Sequence, residues 1–379
     1  MIKEETPLMV AHERGFLSGA YRTISCVDCT ISSGSCQGAD ILEPDFNLSE
    51  NETNPDFSDF SEQKEFEKKF VPKKQNNILL ADSYLRIGKT NKSRRVSDCG
   101  TYLEFAHAIS ADGSVSSEGK LHLANFCKDR LCPLCAWRRS RKIFGQVSQI
   151  MDCIGKDYRF LFLTLTVVNC SEDALSETID GLMSAWDKFC HMKQFKRSVR
   201  GFCRILEVTR NKKNGTFHPH FHVVLAVPPD YFSHYYVLHN VWLGMWRVAT
   251  GDSSITQVNI QSCKSRKPLN DDLDVFKSMA TTVAEIAKYA VKDSDYIFAS
   301  DPALTDRIVS CLSDSLFRRR LIAYGGCFRD AYKRLSLDDP EDGDLIHVDH
   351  EPLRADLSYL IVRYGWAAGV YKILDSYVK

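Results

Sequence analysis

The stretch Phe217-His218-Pro219-His220-Phe221-His222-Val223-Val224 constrains this chain more than any other. The run from Phe217 to Val227 is mostly aromatic and β-branched and stops at Pro228-Pro229, which predicts a buried strand. Alternate residues of a strand share a face, so His218, His220 and His222 fall on one side and Phe221 and Val223 on the other. Each imidazole on a core strand must find a hydrogen bond or a metal, because an unpartnered buried polar group is costly. One divalent ion satisfies several rings at once. A set of hydrogen-bonded structural histidines is the plainer alternative.

The size of the chain, 379 residues, allows one large domain or two moderate ones. No apolar run approaches the ~20 residues that span a bilayer. Lys3, Glu4, Glu5 and Pro7 do not resemble a signal peptide, so a soluble, cytoplasmic protein with no membrane partner is expected. The 14 cysteines are then reduced thiols, with any cluster a candidate metal site. A formal net charge of zero hides an asymmetry: residues 1–70 hold 6 Lys+Arg against 14 Asp+Glu, and the remainder 43 against 35. A basic body behind an acidic leader suits a polyanion-binding protein; a solvated tail is the bland reading of the leader.

Composition and periodicity divide the chain into an acidic, disordered leader (1–75), a cysteine-rich segment (76–150), a central segment of strands and helices (151–300) and a helical extension (301–379). Within the leader, Cys26, Cys29 and Cys36 read as free thiols. Order is expected from about Asn77. Cys99 and then Cys127-x4-Cys132-Pro133-x-Cys135 offer four thiols in a pattern suited to a structural Zn²⁺, with His122 as the substitute should Cys99 not serve. Arg138, Arg139, Arg141 and Lys142 follow directly on a predicted helix. They are candidate phosphate contacts, or else an ordinary solvated face.

Arg159 to Val168 predicts a buried strand and 173–195 an amphipathic helix. Gly201 to Arg210 is a strand joined to the histidine strand through Asn211-Lys212-Lys213-Asn214-Gly215, which makes a hairpin. A helix over Tyr231–Thr250 and a short strand over Ser254–Gln261 come next. Phe276 to Lys292, free of Gly and Pro, predicts a helix with Glu285, Tyr289 and Lys292 on one face. Two more helices interrupted by Tyr324-Gly325-Gly326, an acidic loop from Asp338 to Asp344 and a last helix from about Leu353 complete the reading.

Two imidazoles from His220 and His222 and one carboxylate would hold a divalent ion with open positions, able to polarise a phosphodiester. Glu207, on the partner strand, is the carboxylate candidate, with His218 the alternative third ligand. A tyrosine near such an ion supplies an oxygen nucleophile, given a cation such as Lys292 or Lys288 to lower its pKa of about 10. The strand and helix order resembles the rolling-circle plasmid replication initiators typical of Gram-positive bacteria, within the HUH endonuclease superfamily. The resemblance runs roughly from Cys99 to His347. It rests on D-C-G-T-Y-L-E-F (98–105), N-F-C-K-D-R-L-C-P-L-C-A-W-R-R (125–139), F-L-T-L-T (162–166), H-P-H-F-H (218–222), E-I-A-K-Y-A-V-K-D (285–293) and Y-G-G (324–326).

That resemblance implies an α+β fold, an antiparallel sheet carrying the His-x-His strand and backed by helices. It also implies an origin-specific nickase using Mg²⁺ or Mn²⁺. In it Tyr289 attacks one strand and stays linked to the 5′ phosphate, His220 and His222 bind metal, and Glu285 activates water at termination. Double-stranded origin DNA, single-stranded DNA, a host helicase and a polymerase are the implied partners, with a homodimer open. A zinc-knuckle DNA-binding regulator that cuts nothing and a metal-dependent hydrolase of a small substrate are the alternatives from other classes.

Overall fold

The computed structural model describes residues 61–263, 283–284, 287, 290–348 and 353–379. It opens with helix α1 (Ser61–Arg86), which begins well before the expected onset of order near Asn77 and carries Pro72 within it. Phe66 and Phe70 explain the early start. They sit in an aromatic cluster with Phe105, Tyr364, Tyr371 and Trp137, ring centroids 4.8–6.4 Å apart, so the first turns have a core to pack on. Helix α2 (Thr90–Asp98) then leads to Cys99.

Strands β1 (Tyr102–Ile109) and β2 (Val115–Ala124) form a hairpin, and Pro133–Ile154 forms helix α3. Next come β3 (Arg159–Thr166), α4 (Leu175–His191), a short α5 (Lys193–Ser198), β4 (Gly201–Arg210) and β5 (Phe217–Val227). The bounds of β4 and β5 coincide with the expected hairpin. Tyr231–Thr250 is not one helix: a π-helical turn (Tyr231–Tyr235) breaks before α6 (His239–Thr250). Strand β6 (Asn259–Ser262), α7 (Pro302–Ser315), β7 (Ile322–Gly326) and α8 (Cys327–Arg334) follow. Tyr324-Gly325-Gly326 is therefore strand rather than a break between helices. The Phe202 ring lies so close to Gly325 that an added Cβ would stand 2.3 Å from it.

The chain ends in β8 (Ser358–Ala367) and β9 (Val370–Val378), which corrects the expected last helix from Leu353 and with it the wholly helical extension over 301–379. Tyr359-Leu360-Ile361-Val362 is a β-former run, and the two-residue turn Ala368-Gly369 has positive φ at both positions, the geometry that closes a hairpin. This hairpin joins β1 and β2 in a four-stranded sheet of order β2-β1-β8-β9. The larger sheet has order β6-β3-β5-β4-β7, every pairing antiparallel, with the histidine strand at its centre. One face of β5 packs on α4 through Phe221 and Trp186, whose rings are 5.9 Å apart. The opposite face carries the histidines. Among the described residues no helix is long and apolar enough to cross a membrane.

Candidate metal centres and nicking site

Register decides the ligands. In the β4–β5 pairing Glu207 stands directly opposite His220, and Ile205 opposite His222, so Glu207 projects onto the histidine face. Its Oε2 lies 2.9 Å from His222 Nε2 and 3.4 Å from His220 Nε2, and the two Nε2 atoms are 3.2 Å apart. All three side chains are buried. Outer contacts orient the rings: His220 Nδ1 is 3.0 Å from the His218 carbonyl, to which it donates, and His222 Nδ1 is 3.4 Å from Thr164 Oγ1 on β3, a hydroxyl able to donate or accept. Both Nε2 atoms point inward beside the Glu207 carboxylate. One divalent cation between these three ligand atoms would satisfy them all at once, which favours the metal reading of the histidines over the purely structural one. Adjacent ligands of an octahedral ion with bonds of about 2.1 Å sit about 3.0 Å apart, so the trio fits Mg²⁺ or Mn²⁺ and leaves positions for substrate. Burial pushes the Glu207 carboxyl up, but the two histidines bonded to it outweigh that and hold it well below the usual carboxylate range.

His218 shares the strand face but not the cluster. Its Nδ1 is 2.7 Å from Asn169 Oδ1, and its part in the centre is the backbone carbonyl that orients His220. Pro219, which has no N–H to give, is tolerated in a central strand because β3 stops at Thr166, opposite His220.

The four cysteines converge as well. Cys99–Cys132, Cys99–Cys135 and Cys127–Cys135 sulfurs are 3.5, 3.6 and 3.7 Å apart. A tetrahedron of Zn–S bonds of about 2.3 Å has edges of about 3.8 Å, so the set fits zinc with Cys99 as the fourth ligand. His122 lies elsewhere, its Nε2 3.4 Å from Lys379 Nζ. The surroundings are those of thiolates. Backbone N–H groups of Cys127, Lys128 and Asp129 point at sulfurs at 3.3–3.4 Å, and Lys128 takes the left-handed conformation that such a knuckle needs. Asn77 lies 3.2 Å from Cys132 Sγ with its amide nitrogen buried and unpartnered, so exchanging its N and O places an N–H on the sulfur. Buried Lys74 donates to the Ser97 and Cys99 carbonyls beside the cluster. Neither Lys74 nor Asn77 carries a motif signal; only their place on a helix packed against the cysteines marks them. Cys26, Cys29 and Cys36 lie outside the described residues.

The basic run after the knuckle is mostly internal, which corrects its reading as a set of phosphate contacts. Arg138 donates to the Leu345 and Ile346 carbonyls at 2.8 and 2.6 Å, and Arg139 to Glu341 and Asp129 at 2.8 and 3.0 Å. Lys142 Nζ is 2.6 Å from Asp338 Oδ2. These three side chains tie the acidic loop 338–346 onto α3. Arg141 alone of the four is exposed.

Tyr289, Glu285 and Lys288 lie outside the described residues. The expected helix reaching Lys292 does not extend that far. Ala287 N–H donates to the Val283 carbonyl in a helical turn, but the Ala290 carbonyl accepts instead from Val208 N–H at 2.7 Å. Strand β7 ends opposite Ile205, so Val208 would otherwise present an unpaired donor at a sheet edge. Lys292, exposed, is therefore off the helical face assigned to it. Tyr296, the next tyrosine after Tyr289, is buried at 1 % exposure and donates its hydroxyl to the Leu131 carbonyl, and burial pushes its pKa well up. It is a core residue.

The family described as "Replication protein" matches residues 118–371. The chain belongs to this replication-protein family. Proteins named "Protein rep" are similar to it along most of their length: one from Bacillus amyloliquefaciens is 37% identical over 315 residues, covering 79% of this chain and 91% of its own. Another, from a Bacillus species, is 35% identical over 297 residues, covering 76% and 94%, and one from Streptococcus pneumoniae 35% over 282, covering 73% and 82%. No solved structure matches significantly. With the two-histidine, one-carboxylate centre, this replication protein is a rolling-circle initiator of the HUH type, a DNA-binding enzyme that nicks the origin.

Proposed function

We propose that Tyr289 is the nucleophile of the nicking step. Its phenolic oxygen attacks the scissile phosphate, a 5′-phosphotyrosine bond forms as the P–O3′ bond breaks, and the released 3′-OH becomes the primer for leading-strand synthesis. The observation that carries the reading is the bond from Val208 N–H to the Ala290 carbonyl. Val208 directly follows Glu207 and Ala290 directly follows Tyr289 in the sequence, so the bond ties the residue after the tyrosine to the residue after a metal ligand, which supports the reading. His220, His222 and Glu207 would hold Mg²⁺ or Mn²⁺, which when bound draws charge from the phosphate. A cation from Lys292 or Lys288 would favour the phenolate. Glu285 acts as general base, taking a proton from water at the second cut so that the round ends in hydrolysis.

On this reading double-stranded origin DNA is opened with a host helicase and copied by a host polymerase in the cytoplasm, with two copies of the chain able to share one origin. Among the described residues the cysteine ligands fall within 76–150 and the ligands of the nicking centre within 151–300, while α1 from Ser61 and β7 at Ile322–Gly326 lie outside those bounds. Supercoiled DNA from around the reading frame, incubated with protein and Mn²⁺, gives nicked circles and a covalent adduct. Tyr289→Phe gives neither, and an adduct from that variant would rule out the assignment. Glu285→Ala nicks but leaves products longer than one unit; normal termination by it removes the general-base role.

A further inference from the structure

The segment that follows the proposed nucleophile is anchored at two places. Ala290, 1 % exposed, is bonded to β4 beside Glu207. Six residues on, the Tyr296 hydroxyl donates to the carbonyl of Leu131, which lies in the knuckle between Cys127 and Cys132. Between these points Asp293 Oδ2 accepts from Asn76 Nδ2 at 2.9 Å, and the next residue of α1, Asn77, contacts Cys132 Sγ at 3.2 Å. Leu131 is itself fixed: its N–H bonds Asp129 Oδ1 at 2.9 Å, which also accepts from Tyr84 at 3.0 Å. Thus the same loop and the same helical turn touch both the cysteine cluster and the segment 293–296.

We infer that the zinc knuckle is the positioning frame of the nucleophile segment, with Tyr296 and Asn76 as positioning residues. Four cysteines closed on one ion hold Leu131 and α1 in place. Those in turn fix Asp293 and Tyr296, and so limit how far the chain before them can drift from Glu207, His220 and His222. The inference rests on Tyr289 as nucleophile for its catalytic consequence, but not for the mechanical link.

The test uses the full-length, zinc-loaded protein and three variants: Tyr296→Phe, which keeps the ring and removes the hydroxyl; Asn76→Ala; and the exchange Asn76→Asp with Asp293→Asn, which rebuilds the bond reversed. Zinc content and half-saturation by supercoiled origin DNA should stay unchanged in all three. In the first two, amide exchange over 287–296 should quicken and single-turnover adduct formation with Mn²⁺ should slow about tenfold, the scale of one buried hydrogen bond. The exchanged pair should recover both. Stripping zinc from the wild type should quicken exchange over 287–296 together with 125–136. Unchanged exchange over 287–296 on zinc removal or in Tyr296→Phe overturns the frame, as does a rate loss that the exchanged pair does not recover. Should the wild type form no adduct while exchange responds as described, the nucleophile assignment falls and the frame stands.

Discussion

The two candidate metal centres are built from opposite materials. The cysteine centre takes four soft ligands from a loop, a knuckle and the start of α3, with N–H groups, Asn77 and Lys74 packed around it. Four thiolates complete a zinc tetrahedron and leave no position for a substrate. The histidine centre takes three harder ligands from two paired strands, and three ligands leave about half of an octahedral shell open. A closed set holds structure together; an open one does chemistry. The contrast also lies in how each is supported. Backbone register fixes Glu207 against His220 through one strand pair, whereas the cysteine centre brings together residues 99, 127, 132 and 135 from a loop, a knuckle and a helix.

The largest effect should come from breaking the closed centre. Cys132→Ser is expected to lose the zinc and destabilise the protein by several kcal/mol, since structural zinc sites contribute on the order of 10 kcal/mol. Elemental analysis and thermal unfolding read this directly. His222→Ala should do the reverse, with Tm nearly unchanged and adduct formation falling on the order of 10³-fold, several kcal/mol of lost charge stabilisation. A mild chelator should mimic the second variant and a strong one the first. Equal damage to stability from both variants would erase the contrast.

Legibility followed the same line. Strands β4 and β5, the hairpin between them and the four cysteines could be read from residue type and spacing because each depends on local pattern. The choice between Glu207 and His218 could not. Both share the histidine face, and only the outer hydrogen bonds, from His218 to Asn169 and from Glu207 to both rings, separate them. The basic run misled for a physical reason: Arg138, Arg139 and Lys142 are internal because an acidic loop two hundred residues away supplies their acceptors, and a long-range partner leaves no local periodicity. The C-terminal hairpin misled because a strand pair and an apolar helix are both rich in Leu, Ile and Tyr. The Ala368-Gly369 turn was the usable signal.

A finer break concerns the third ligand. Glu207→Ala should cost adduct formation about as much as His222→Ala and weaken Mn²⁺ binding by titration calorimetry. His218→Ala, which keeps the backbone carbonyl that orients His220, should cost no more than about tenfold, the low end for an outer contact to a metal ligand. Reversal of that order would move His218 into the centre. Next in size, Arg139→Met should lower stability by about 2–3 kcal/mol, because it leaves the buried Glu341 and Asp129 carbonyls unpaired. Urea unfolding measures it, and a neutral result would mean that those carbonyls find water.

The smallest effect expected is on DNA affinity, and it sharpens the comparison between a basic sequence and a basic surface. A phosphate contact releases a counterion, so removing one should flatten the dependence of log K on log salt by about one unit. Arg138 has its guanidinium committed to the Leu345 and Ile346 carbonyls and is 5 % exposed, so it has neither the donors nor the access for a phosphate. Arg138→Gln, measured well below its Tm by fluorescence anisotropy on a duplex from the origin, should therefore leave the slope unchanged while lowering stability. Arg141, exposed on the same helix, is the matched control: if any residue of the run meets DNA, Arg141→Gln is the variant that flattens the slope. A flatter slope for Arg138→Gln alone would mean that the loop 338–346 lifts from α3 when DNA binds and that the buried arginines are uncovered in the complex.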